Sequence, residues 1–480
     1  MPRSRRPALA VLTLVGLTLA AAAPAQADDR PGVQHLQFRF GPIDIKPGQN
    51  TIELEVNDKR PKVDGYITSF RPNLVRAKSK VPPVDVIHLH HAVWLVNFQP
   101  TFAAGEEKTE IRVPKGFGWR YRSKDRWMLN HMIHNLTPNR ERVWVTWDMD
   151  FIPADSSAAK GMREVKTQWL DVQGGSAYPV FDVLRGRGAK GRFTYPDDDP
   201  NAYPDGVARN RWVADRDATL VGTAGHLHPG GLYSDLRLTR GGRTVRLFRS
   251  RAKYYEPAGP VSWDVSMTAT PSRWRVAVRK GDILSVSGTY DTRRGSWYES
   301  MAIMPVAITN GRAGGADPFT TKVDVPGVLT HGHLPENDNH GGSRAGYQNP
   351  SRLPDGPSTD RVTVNGFLYG QGDLSMPGVA GRPPVVTAGQ PLTFVNADAK
   401  RNIFHTITSC KLPCNGTSGI AFPLANGPVE FDSGNLGFGP QGFTAAANRD
   451  RWQTPPSLDR GTYAFFCRVH PFMRGSFRVK

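Results

Sequence analysis

Gly461-Thr462-Tyr463-Ala464-Phe465-Phe466-Cys467-Arg468-Val469-His470-Pro471-Phe472-Met473-Arg474-Gly475 decides how the end of this chain folds. Alternating apolar residues lead in as a strand, and a Pro-containing turn shapes the loop that follows. The loop offers a thiolate, an imidazole and a thioether within seven residues. One more imidazole completes a type 1 copper set of two His, one Cys and a weak axial Met. His405 supplies it, in Asn402-Ile403-Phe404-His405-Thr406-Ile407.

The other end reads as an export signal. Arg3, Arg5 and Arg6 precede an apolar run from Pro7 to Ala23, and Ala25-Gln26-Ala27 is a small-x-small cleavage site. Residues 1–27 are expected to be a signal peptide, with the mature chain starting at Asp28. Ser4-Arg5-Arg6 hints at twin-Arg export, and ordinary Sec export stays open. No other long apolar stretch occurs, so the expectation is a soluble, secreted or extracytoplasmic protein with no membrane span. The formal charge is +18, with basic residues spread along the chain rather than gathered in a stripe. That spread, with no recognition module, argues against a nucleic-acid partner.

The patterning is all-β. Thr51-Ile52-Glu53-Leu54-Glu55-Val56 alternates with period two, as do stretches near residues 86–96 and 143–151. More short strands follow between residues 220 and 308, and no window carries an amphipathic helical stripe. This predicts two tandem jelly-roll-like β-sandwiches, residues 28–187 and 188–316. Gly, Pro and His dominate residues 317–360, which read as a linker. A third strand-rich unit covers residues 361–480.

That third unit resembles a cupredoxin, a Greek-key β-barrel holding one type 1 copper. The resemblance rests on Phe404-His405-Thr406-Ile407-Thr408, on the Gly461-Thr462-Tyr463 entry to the last hairpin, and on an amicyanin-like Cys-x-x-His-x-x-Met loop. It implies four ligands: His405, Cys467, His470 and Met473. Of the three Cys, Cys410 and Cys414 lie close together. A binuclear copper-A site would need both thiolates in the His and Met loop, so a local disulfide is the better reading. Copper ligation gives Cys467 a reason to stay reduced in an oxidising compartment.

Eight His precede the linker, and seven fall into three groups. These are Val86-Ile87-His88-Leu89-His90-His91-Ala92, Leu129-Asn130-His131-Met132-Ile133-His134-Asn135 and Gly225-His226-Leu227-His228-Pro229. Trp297-Tyr298-Glu299-Ser300-Met301-Ala302-Ile303-Met304 comes after them. A His-x-His pair on a strand puts both imidazoles on one face. Imidazole with thioether favours copper over magnesium or calcium.

This order of groups resembles the copper type II, ascorbate-dependent monooxygenases, the family of peptidylglycine hydroxylase and dopamine hydroxylase. The resemblance implies a three-His copper at His90, His91 and His134, with His131 as the alternate to His134 and His88 as an extra neighbour. It implies a second, oxygen-binding copper at His226, His228 and Met301, with Met304 as the alternate to Met301. These last three would be the catalytic residues. Three coppers per chain, an external electron donor, O2 and a small-molecule or peptide substrate follow. The disulfides of that family are absent, since no Cys precedes Cys410.

His331, His333 and His340 in the linker are open to three readings: a fourth metal site, a docking segment or a polar loop. Phe466 and Arg468 flank Cys467 where a multicopper oxidase has His, which argues against a laccase or nitrite reductase. Two functions remain: a copper monooxygenase with a built-in electron-transfer domain, or a non-catalytic electron-transfer or copper-handling protein.

Overall fold

The structure is a computed structural model. It describes residues 31–175, 178–341, 346–416, 419–420, 422–438 and 449–480. The signal segment expected at residues 1–27 lies outside them. The architecture is all-β, as the patterning predicts, built from stacked sheets and short 3-10 turns.

The first sandwich packs a sheet containing Gln34–Ile45, Glu141–Pro153 and Gly65–Val75 against a second sheet. The second sheet runs Ile52–Val56, Trp127–Asn135, Ile87–Val96, Gln99–Ala104. Aromatic rings fill the space between. Phe70 stacks on Phe102 at 4.2 Å and meets Trp94 edge-on at 4.8 Å, with Trp147 beside them. Each such ring removes about 150–250 Å² from water, so these few residues dominate the core.

The two sandwiches are not separate beads. Arg163–Gln168 pairs in parallel with Phe117–Tyr121 and antiparallel with Val306–Asn310. One nine-stranded sheet therefore runs through both modules. Val180–Val183, before the boundary expected at residue 187, pairs with Trp297–Ile303. The opposing sheet of the second module runs Arg192–Tyr195, Ile283–Asp291, Gly231–Arg240, Arg243–Arg251.

The C-terminal unit holds two small sheets. One joins Arg361–Val364, Thr393–Asn396 and Arg451–Gln453; the other joins Val385–Val386, Arg474–Val479, Gly461–Phe466 and Thr408–Cys410. Gly461–Phe466 and Arg474–Val479 form a hairpin in which Phe466 faces Arg474. The residues between those two carry the expected ligands. Cys410 and Cys414 are disulfide-bonded.

This unit is packed against the second sandwich. Phe422, Leu424, Val429 and Phe466 share one continuous apolar cluster with Trp297 and Tyr290. The Arg468 guanidinium lies 4.9 Å from the Trp297 ring and binds the Ser296 carbonyl and Asp432. The segment read as a linker is also docked. Val328–Leu329 pairs with Thr268–Ala269, and Asn337 accepts from the Val84 N–H at 3.1 Å while donating to Asp264 at 3.0 Å.

Among the described residues, no helix is long and apolar enough to cross a membrane.

Gly230 ends the His226-Leu227-His228-Pro229 stretch at φ +89°, and a Cβ there would lie 2.3 Å from the Trp297 ring. A side chain would meet both left-handed strain and a ring that anchors the C-terminal unit. Gly230→Ala is expected to lower unfolding stability by on the order of 3 kcal/mol, read from urea midpoints.

Candidate metal centres

The C-terminal centre begins with a hydrogen-bonding constraint. His405 Nε2 lies 3.0 Å from Asp398 Oδ2. Asp398 also accepts the main-chain N–H of Gly366 and of Phe367, at 3.0 and 3.3 Å. Burial would raise this carboxyl, but the His405 bond and the Gly366 N–H outweigh it and hold it down to about 2. A carboxylate only accepts, so His405 carries its hydrogen on Nε2 and presents a bare Nδ1. Phe367 closes the other side, its ring edge-on to His405 at 5.9 Å and to His470 at 5.0 Å.

Three donors meet at that Nδ1. His405 Nδ1 and His470 Nδ1 are 3.3 Å apart, and Cys467 Sγ is 3.9 and 3.8 Å from them. All three residues are buried. Bonds of about 2.0 Å to nitrogen and about 2.3 Å to sulfur place donors about 3.5–3.7 Å apart in a trigonal plane. The spacing fits one small metal ion. Met473, 2 % exposed, closes the loop, with Cys467 N–H bonded to its carbonyl at 3.2 Å. The sulfur is prepared as a thiolate. Burial would raise its pKa, but the His405 and His470 imidazoles hold it well below the ordinary thiol value. The N–H groups of Thr406 and His470 also point at it, at 3.4 and 3.3 Å.

A cluster of histidines lies in the sandwich module. Strand Ile87–Val96 pairs with Trp127–Asn135, and the register shifts between Leu89 and His91. A bulge of this kind adds one residue and re-aims its neighbours. His90 sits in it. The rings of His88 and His134 are 4.9 Å apart, those of His90 and His134 4.4 Å, and those of His90 and His228 4.4 Å. Trp263 stacks on His88 at 4.4 Å.

These imidazoles are all buried and held neutral. Burial drives His88 down to about 3 and holds His90, His134 and His228 well below the usual value. Main-chain carbonyls select the tautomer at two of them. His88 Nδ1 meets Val84 O at 3.3 Å, and His228 Nδ1 meets Glu299 O at 2.6 Å. A carbonyl only accepts, so the hydrogen is on Nδ1 and Nε2 carries a lone pair. Nε2 of His88, His134 and His228 has no hydrogen-bond partner. Orphaned buried lone pairs are costly, and they are what a borderline-soft metal takes.

The expected partners are regrouped. The rings of His90 and His134 lie together, and those of His88 and His228 join them. His91 turns its Nε2 to Asn130 Oδ1 at 2.9 Å, while its Nδ1 stays 3.4 Å from His90 Nδ1. His226 binds Glu107 Oε2 at 2.9 Å and lines, with His91, a neighbouring cavity of about 50 Å³. Its ring is 5.2 Å from His228. Met301 packs with Ile52, Met132 and Tyr178, and borders a wider apolar cavity of about 420 Å³ together with His91. Met304 is in the core of the second sandwich. His131 binds Glu55 at 2.8 Å. Both ring nitrogens of His331 face carbonyls, and His333 binds Asp338 at 2.6 Å. Trp263 was not legible as a site residue, because nothing in its local pattern marks it.

The two centres share a wall. A cavity of about 110 Å³ is lined by His88, His90, His134 and His228 on one side and by Thr406, Arg468 and Val469 on the other. The last three flank His405, Cys467 and His470 in sequence.

No family model and no curated protein matches the chain. Solved structures similar to parts of it include a purple cupredoxin from Nitrosopumilus maritimus. It is 22% identical, covers 20% of this chain and 75% of its own, and has a TM-score of 0.14. A mutant of amicyanin is 17% identical over 29% of this chain and 99% of its own, with a TM-score of 0.14. PNGase F, a glycosylasparaginase from Flavobacterium meningosepticum, is 9% identical over 59% of this chain and 98% of its own, with a TM-score of 0.29.

Glu299 offers a check on this environment. Its backbone is left-handed at φ 54°, its carbonyl takes His228, and Tyr178 donates to its carboxyl at 3.2 Å. Burial pushes the carboxyl from 4.5 up to about 7. The folded state therefore binds more protons than the unfolded one between those values. The stability this confers is complete below about 4.5 and is lost as pH rises through about 7. Glu299→Gln keeps the neutral shape. Its urea midpoint is expected to fall less than that of the wild type on going from about pH 5 to about pH 8. At the higher pH the variant should be the more stable protein by roughly 3 kcal/mol.

Proposed function

We propose that this chain is an extracytoplasmic copper-binding redox protein whose C-terminal domain exchanges single electrons with the sandwich module. The observation that carries it is the convergence of His405 Nδ1, His470 Nδ1 and Cys467 Sγ at 3.3–3.9 Å in a buried pocket. Copper held by two imidazoles, a thiolate and a thioether changes oxidation state with little rearrangement of its ligands. Asp398 orients His405, Thr406 and His470 N–H groups stabilise the thiolate, and Phe367 keeps water from both imidazoles. An external donor would deliver electrons to this domain.

The shared cavity supports the sandwich histidines as the acceptor, because Phe404, Thr406, Arg468 and Val469, the sequence neighbours of the C-terminal ligands, are on its wall. The finer reading is an oxygen-dependent, C–H hydroxylating module of the copper monooxygenase kind. One substrate C–H bond, O2, two electrons and two protons would then yield one alcohol and one water. The cavity beside the histidines holds about 110 Å³, room for O2 or a few waters, whose share of liquid volume is about 30 Å³ each. The apolar cavity between His91 and Met301 has about 420 Å³, which suits a small organic substrate.

A second reading is a non-catalytic electron carrier or copper-handling protein. It is favoured by the packing of Met301 with Ile52, Met132 and Tyr178.

Copper analysis and O2 uptake separate the two. The proposal expects one intensely blue copper and further copper in the sandwich module. Cys467→Ser should abolish the blue band and reduce donor-dependent O2 uptake to background. His134→Ala should keep the blue band and lose both the extra copper and the uptake. One copper per chain and no uptake by the wild type would leave only the carrier. Retention of the blue band in the Cys467→Ser protein would overturn the C-terminal assignment.

A further inference from the structure

The segment 330–340 crosses a hairpin formed by Lys253–Tyr254 and Val265–Ser266. Its main chain is tied down at Thr330, whose N–H donates to Met267 O at 2.9 Å, and its Asn337 side chain donates to Asp264 at 3.0 Å. Two carboxylates of the hairpin loop are buried beneath it. The side chains of Asp264 and Glu256 are 0 % and 2 % exposed. Asp264 Oδ2 has no hydrogen-bond partner. An orphaned carboxylate oxygen away from water costs several kcal/mol unless a cation meets it.

Imidazoles stand over both carboxylates. His333 Nδ1 is 3.8 Å from Asp264 Oδ2, and His340 Nδ1 is 3.3 Å from Glu256 Oε2. One donor atom each from His333, Asp338 and His340 lies within 4.8 Å of the others. The His333 and His340 rings are nearly parallel, 6.0 Å apart. Two imidazoles and up to three carboxylates make a nitrogen and oxygen donor set with no sulfur. That set differs from the C-terminal one and suits a borderline divalent ion such as zinc, at bond lengths of about 2.0–2.2 Å.

We infer that His333, Asp338 and His340, with the buried carboxylates of Asp264 and Glu256 beside them, form a binding site for a divalent transition-metal ion of the zinc type. The site joins the 330–340 segment to the 255–264 loop. That loop carries Trp263, whose ring stacks on His88, and Gly230 N–H is bonded to Pro260 O at 2.9 Å. An ion here would hold one wall of the histidine cavity in place.

The test is zinc binding by the full-length, copper-loaded protein. After chelation of exchangeable metal, zinc chloride is added, excess is removed, and zinc per chain is counted by mass spectrometry. The His333→Ala/His340→Ala protein is expected to retain one zinc fewer than the wild type while keeping its blue absorption. Zinc should raise the thermal midpoint of the wild type and leave that of the variant unchanged. The single variant His340→Ala should weaken zinc binding at least about tenfold. Equal zinc counts in wild type and double variant overturn the inference. If the double variant loses its blue band through misfolding, zinc-edge anomalous diffraction from wild-type crystals decides. A peak among these five side chains sustains the site, and none there refutes it.

Discussion

A sulfur anion removed from water is intolerable unless positive or donating groups surround it, and the C-terminal domain is arranged to meet that condition at Cys467. Two main-chain N–H groups donate toward the sulfur, and the Nδ1 atoms of His405 and His470 lie beside it at 3.9 and 3.8 Å. His405 comes from the loop before Thr408–Cys410, far away in sequence, so the two small sheets must come together before the sulfur is surrounded. Asp398, held ionised by its bond to His405 and by the N–H groups of Gly366 and Phe367, dictates which nitrogen of His405 is bare. The order of dependence runs from turn, to carboxylate, to tautomer.

The same logic operates in the sandwich module with a different acceptor. There, main-chain carbonyls rather than carboxylates take the Nδ1 hydrogens of His88 and His228. A neutral acceptor adds no charge, so the imidazoles stay neutral in a low-dielectric pocket and present lone pairs. The carbonyl that serves His228 belongs to Glu299, whose left-handed backbone interrupts an otherwise extended strand. Local backbone strain of this kind persists only where surrounding structure holds it. Here the surrounding structure is Trp297, Tyr290 and the docked C-terminal domain.

Much of this was legible in the sequence. Period-two alternation and the absence of helical stripes gave the all-β class. The seven-residue loop placed Cys467, His470 and Met473 together because both its ends are pinned by one hairpin, Phe466 facing Arg474. The grouping of the remaining histidines was not legible. His88 and His90 share a strand, His134 lies on its neighbour, and His228 belongs to the other module. A bulge at His90 alters which residues share a face, and no residue-level signal marks a bulge. The 317–360 segment looked like a linker because Gly, Pro and His dominate it. Its docking depends on single side chains, such as Asn337, that composition does not report.

By itself, the sequence determined the strand-rich class, the local disulfide between Cys410 and Cys414, and the donor types of the terminal loop. These depend on spacing along a few residues, which the covalent chain controls. The tertiary structure alone decided that one nine-stranded sheet joins the two sandwiches, and that His88, His90, His134 and His228 meet. It also placed that cluster across one cavity from the Cys467 loop. Those outcomes depend on strand register, one bulge and the burial of Trp297 and Phe466 against each other's modules. Register and burial are settled by many weak contacts between distant segments, and no short stretch of chain encodes them.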